Sequence, residues 1–453
     1  MFRRYFMEAE SLEPIVLSEE TIEQTINNEI IKTIEKFISQ IMSLRRSYPL
    51  VMLSLHSVRK LVTKQWDDYI SEKEIQTRQD EGHTIYSLTT DTAHEFNRLL
   101  NEVKSTRTSN SLLPRSFIVT LVSQYDAYLG QIIRFMFKAK PELLNASEKN
   151  LTYSQVIDFG SFEKVREFII EKEVETVLRK SHIEHFEWLE TKLSIPLRKD
   201  LKIWPTFVEL TERRNLFVHN DGIASSKYYD VCREHSVPPN ESKEGRTLPA
   251  NLKYFTSSYQ CILEIGIKMA HVIWRKLKPE LRSEADWDLI GIIFDFLAIE
   301  EYDLAIVLSE FATDLKQFSS DEVKLTFIIN KAQAYKWSGD DKKCKEVLSE
   351  VDWSTRNEKL KLCNAALIDD FDIAALYMKR IGDNSEFIGK ADYRNWPLFK
   401  EFKKTNQFLE AFEEIYNEKF VTIEEIDGQL KDVQIQTAST NEKPEIDTDT
   451  RTN

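Results

Sequence analysis

Apolar residues recur every three to four positions through most of the chain. Ile26, Ile30, Ile34 and Ile38 mark one such stripe near the N-terminus. A second runs through Ile118, Leu121, Val122, Tyr125, Leu129, Ile132, Ile133 and Met136. It predicts a helix from about Pro114, which suits a first turn, to Lys138, with Pro141 marking the exit. "FEKVREFIIEKEVETVLRKS" and "HFEWLETKLSIPL" predict two more helices. Another starts near Pro205 and stops at "NDG", where Asn and Gly favour a left-handed cap. Residues 223–250 read as a loop, and "LKYFTSSYQCILEIGIKMAHVIWRKL" reads as a long helix after it. The fold class these patterns predict is all-α.

Three parts and a tail are expected. "STRTSNSLLP", Ser105 to Pro114, is polar and then meets a proline, so it predicts a boundary between a helical region 1–110 and a second domain, 111–285. From about Asp286 the texture changes. "EYDLAIVLSEF", "GDDKKCKEVLSEV" and "DFDIAALYMKRIG" resemble one another, with Leu304/Leu308, Cys344/Leu348 and Ala374/Met378 in like places. "INKAQAYKWSGD" resembles the first helix of a tetratricopeptide-like pair, so 286–425 reads as a degenerate helical repeat. A plain helical bundle is the other reading of that region. Residues 426–453 are acidic, lack aromatics and read as a disordered tail.

Composition narrows the chemistry. Glycine supplies 11 of 453 residues, about 2.4% against an average of roughly 7%, which disfavours turn-rich sheets and barrels. No G-x-x-x-x-G-K-[ST] loop occurs, which removes the simplest ATPase or GTPase reading. Cys232, Cys261, Cys344 and Cys363 form no C-x-x-C pair, so a zinc ribbon or disulfide framework is not expected, and a reducing cytoplasm is. "MFRRYFMEAESLEP" lacks the apolar run of a signal peptide. The most apolar stretch, "LIGIIFDFLAI", is too short to span a bilayer, so no membrane partner is expected. The net charge of −14 argues against a nucleic-acid coat over the whole protein. Residues 111–285 carry +3, a middle able to meet a polyanion locally, although acidic flanks that only aid solubility explain the asymmetry as well.

The stretch "ERRNLFVHNDG", Glu212 to Gly222, concentrates the candidate chemistry. On a helix Phe207, Leu210, Arg214 and Phe217 share one stripe, while Glu212, Asn215 and His219 share the next. A guanidinium among apolar neighbours is costly unless paired or put to use. Arg214 and His219 are five residues apart, about 140° in direction on a straight helix. They meet on one atom only if the helix unwinds near "HNDG" or if two copies face each other. Arg, a polar amide and His suit phosphoryl-oxygen chemistry: His moves a proton, and Arg stabilises charge on phosphate oxygens. Asp126, flanked by Val122, Leu129 and Ile133, faces the core side of its own helix and is the natural partner for Arg214. The competing reading is a buried ion pair without chemistry, leaving Arg214 as scaffold and His219 as a cap. His182 and His185, at i and i+3, read as a solvated helix face. Tyr228 and Tyr229 are weaker substrate-contact candidates.

"RNLFVH", Arg214 to His219, is similar to the R-N-x-x-x-H signature of HEPN domains, and "FIVTLVSQYDAYLGQIIRFMFKAKPELL" resembles the first long helix of that all-helical domain. The resemblance spans about Leu112 to Leu281. It implies a metal-independent endoribonuclease with no cofactor, in which the RNA 2′-hydroxyl attacks the adjacent phosphate. It further implies a homodimer through the HEPN-like domain, and a toxin or anti-phage effector role. Arg214 and His219 carry over as the catalytic pair, Asn215 as the polar residue after the arginine, and Asp126 as the acidic residue of the first helix. The C-terminal helices would then receive a protein or phage-derived trigger. Two other function classes stay open: a non-catalytic adaptor or scaffold binding protein partners, and a nucleotide-sensing regulator.

Overall fold

The computed structural model describes residues 19–80, 83–146, 151–238, 244–383 and 388–421, so the expected tail 426–453 lies outside the described residues. Two units divide the chain, one of residues 1–291 with 314–320 and the other of residues 292–313 with 321–453. In the first, α1 (Glu19–Glu72) leads through a short antiparallel hairpin, β1 (Thr77–Asp80) and β2 (His83–Tyr86), into α2 (Thr90–Ala139). Then come α3 (Tyr153–Phe159), α4 (Phe162–Leu178), α5 (His182–Leu193), α6 (Trp204–His219), α7 (Ser226–Glu234), α8 (Leu252–Leu277) and α9 (Arg282–Ala298), within which the division falls. Among the described residues the fold is all-α apart from that hairpin and a single bridge between Ile223 and Thr247.

The expected boundary at Ser105–Pro114 is not a break in secondary structure. α2 runs straight through it, and its first turn lies at Thr90 rather than Pro114. A proline in a helix removes one i→i−4 bond, a loss that two long packed helices tolerate. The change at this point is in burial. From Ile118 to Phe137 α2 is largely buried, whereas among the described residues from 50 to 112 only Ile75, Phe96 and Leu99 are. α1 and α2 lie antiparallel, pairing Phe37 with Tyr128, Tyr48 with Phe117 and Trp66 with Phe96. They therefore form an arm whose base belongs to the core and whose outer half is mostly solvated. At the base Phe37 stacks on Tyr128 with ring centroids 4.0 Å apart. Gly266 of α8 lies under the same ring, where an added Cβ would come within 2.5 Å of Phe37. The N-terminal helix thus shares one core with α2 and α8 rather than forming a region of its own.

Residues 223–250, expected as loop, include α7, and Ala224, Tyr228, Cys232 and Leu248 close a small core against Leu216 of α6. Burying five side chains is what holds this excursion in place.

The second unit carries α10 (Tyr302–Thr313), α11 (Asp321–Trp337), α12 (Asp341–Ser349), α13 (Glu358–Leu367), α14 (Phe371–Ile381), α15 (Lys390–Asn395) and α16 (Asn406–Tyr416). One turn recurs three times before α10, α12 and α14. A residue with positive φ, Glu300 (63°), Gly339 (91°) or Asp369 (63°), stands two places before the helix starts. The next residue donates its N–H five residues back: Glu301 to Phe296, Asp340 to Tyr335, Asp370 to Ala365. Asp340 and Asp370 then cap their helices in the same way. Leu304, Leu308, Cys344, Leu348, Ala374 and Met378, read above as equivalent, are all buried. The same turn therefore precedes each of the three segments read above as equivalent.

Candidate functional site

α6 sets the site. It stays regular to His219, and the chain turns only at Asp221 and Gly222, both left-handed (φ 47° and 72°). Gly222 donates to the Leu216 carbonyl at 2.9 Å, and a Cβ there would meet the Phe217 ring at 2.9 Å, so glycine is required twice over. Arg115 of α2 fixes this end: its Nη1 donates to the Asp221 carboxylate at 2.6 Å and to the Asp221 carbonyl at 3.0 Å. His219 is exposed on the last turn.

The two adjacent arginines play different parts. Arg213, not Arg214, is the buried guanidinium. Its Nε donates to Glu209 Oε1 at 2.6 Å, its Nη1 to the Pro249 carbonyl at 2.9 Å, and its plane lies 3.8 Å from the centre of the Tyr254 ring. Tyr228 and Tyr254 donate to the same Glu209 carboxylate at 2.6 and 2.8 Å. Burial first, then Glu209, push the Tyr228 hydroxyl well above its ordinary pKa and keep it a donor. Tyr228 therefore belongs to a structural network, which corrects its reading as a substrate contact.

Arg214 is half-buried, with 23% of its side chain exposed. Its Nη2 lies 3.6 Å from Asp126 Oδ2, so the pairing expected from the two sequence stripes is present. Nη1 donates to Asn215 Oδ1 at 3.2 Å, and Nε has no partner. Asn215 thus holds Arg214 and, through Nδ2, approaches Glu212 at 3.5 Å. A guanidinium has five donor hydrogens, and what separates this one from Arg213 is that part of it reaches solvent.

His182 completes the group, and the solvated-face reading of His182 and His185 is overturned. Both are buried. His182, the first residue of α5, places Nε2 2.8 Å from Asp126 Oδ1. One carboxylate therefore bridges His182 and Arg214. His185 packs edge-on to His182 at 5.1 Å, and burial, with the neighbouring His182 charge, lowers its pKa to about 4. The signal was legible: His182, Phe186, Leu189 and Leu193 keep helical spacing on one apolar face. The burial of Arg213 was harder to read, because Val208, Glu209, Leu210 and Thr211 are all buried in succession and no single face stands out.

Asp126, Arg214 and Asn215 are brought together. His219 stands five residues beyond Arg214 on an unbroken helix, so within one copy the two side chains diverge by about 140°. Among the described residues no group of three or more His, Cys, Asp or Glu is placed to hold a metal ion, and no helix is long and apolar enough to cross a membrane. No family model matches the chain, and neither does any curated protein or solved structure.

Proposed function

We propose that the protein is a HEPN-like, metal-independent endoribonuclease. The observation that carries this reading is the divided treatment of Arg213 and Arg214. Arg213 is buried, bonded to Glu209 and the Pro249 carbonyl and stacked on Tyr254, whereas Arg214 is oriented by Asp126 and Asn215 and keeps an exposed edge. Arg214 would hold the scissile phosphate, and His219 would move the proton of the attacking 2′-hydroxyl or of the leaving 5′-oxygen. Products would carry a 2′,3′-cyclic phosphate and a 5′-hydroxyl. Because α6 does not unwind, the arginine and the histidine acting on one phosphate would come from two copies related by a twofold axis. A toxin or defence role in the cytoplasm, with a trigger received by the helix pairs of the second unit, accords with this reading by analogy only.

The test is incubation of the protein with mixed RNA in EDTA. Cleavage leaving cyclic phosphate ends, reduced about 100-fold or more in His219→Ala, is the expected result. Intact RNA under all conditions would leave the helix pairs of the second unit as a scaffold for protein partners.

A further inference from the structure

The arm formed by α1 and α2 carries a concentration of charge that the catalytic reading does not use. Between Glu35 and Asp67 the sequence has no acidic residue and six lysines or arginines. Between Glu102 and Asp126 it again has none, with three. In a chain of net charge −14 these two stretches are the opposite of the whole. The fold sets them side by side. Tyr48 meets Phe117, and Arg59, Val62 and Thr63 line one shallow recess with Val103, Thr106 and Arg107. Arg46, Arg59, Lys60, Lys64, Lys104 and Arg107 are all exposed. No carboxylate pairs with any of these six among the described residues; Arg115, by contrast, is taken by Asp221.

We propose that the outside of the arm binds the phosphate backbone of single-stranded RNA. Arg46, Leu53, Ser57, Lys60 and Lys64 follow steps of seven, four, three and four and share one stripe of α1. Lys104, Arg107 and Ser111 do the same on α2. The α1 stripe lies about half a turn from Tyr48 and Trp66, which face α2, so cations, hydroxyls and exposed apolar side chains (Leu50, Leu53, Leu61, Leu112) alternate round the outside of the arm. An interfacial membrane helix instead segregates a continuous apolar face from its cations. The alternating pattern suits a strand that offers phosphates and base faces in turn. The series also has a direction. Arg115, two turns beyond Arg107 on α2, is bonded to Asp221, two residues past His219. A strand lying along the arm would arrive at the end of α6. The surface rests on the ribonuclease reading only for what it feeds.

The test uses a labelled 2′-O-methyl RNA, which has no attacking hydroxyl, so binding is measured whether or not the protein cleaves. Wild type and the exposed triple variant Lys60→Gln/Lys64→Gln/Arg107→Gln are compared over a salt series, with melting curves to show that both are folded. The expected result is binding weakened about tenfold or more in the triple variant, with the log–log salt slope reduced by about 2 in magnitude. No RNA binding, or binding indifferent to the triple substitution, would overturn the proposal. So would arm-dependent binding to phosphatidylserine vesicles in place of RNA. Arm-dependent binding of this RNA, with unmodified RNA left intact in the EDTA incubation, would sink the ribonuclease reading and leave this surface standing.

Discussion

Side by side on α6, Arg213 and Arg214 make opposite predictions. Arg213→Ala would strand the Glu209 carboxylate in the core, and losing one partner of a buried pair costs about 3–5 kcal/mol. Denaturant unfolding should register that loss. Arg214→Ala removes a half-exposed group and should leave unfolding nearly unchanged while lowering RNA cleavage about 100-fold or more. His185 adds a pH signature. With a folded pKa near 4 and an unfolded value near 6.5, the unfolded chain binds the extra proton first. Stability should therefore fall as pH drops below about 6.5 and level off below about 4, by roughly 3 kcal/mol at most. His185→Leu should flatten that limb in the variant's own plot of stability against pH; an unchanged limb would place the acid sensitivity elsewhere. At this scale the sequence showed the Asp126–Arg214 pair because each lies on a readable stripe. It hid the bridge to His182, which needs the fold to bring α5 against α2.

Elements were legible where an apolar stripe met a cap or proline, as in α6 and α8. They were misread where proline was taken as a boundary. Pro114, read as the first turn of a helix, lies inside α2, as Pro49 lies inside α1, and in both the packing of two helices of 50 residues or more outweighs one missing hydrogen bond. The loop prediction for 223–250 failed because α7 has nine residues, too short for periodicity to declare itself. The junction of α1, α2 and α8 offers a direct packing test. Gly266→Ala should gain about 1 kcal/mol of helix propensity but lose about 1–3 kcal/mol to overpacking, since Phe37 is pinned against Tyr128 and has nowhere to move. A lower melting temperature, restored when Phe37→Leu is added, is the expected pattern. A raised melting temperature for the single variant would show that the ring has room.

The two units are built differently, one around a long helical arm and the other from helix pairs with a recurring turn. The like buried positions before and after these turns were visible in sequence; the turn was not, because Glu300, Gly339 and Asp369 differ in type while sharing a backbone conformation. At this scale the claim is that one phosphate is served by Arg214 of one copy and His219 of another. Mixing Arg214→Ala with His219→Ala, each inactive alone, tests it most directly. Random exchange makes half the dimers mixed, and each mixed dimer keeps one intact composite site, so about a quarter of wild-type RNA cleavage should return. A mixture as dead as its components, with exchange shown to occur, would contradict the shared site.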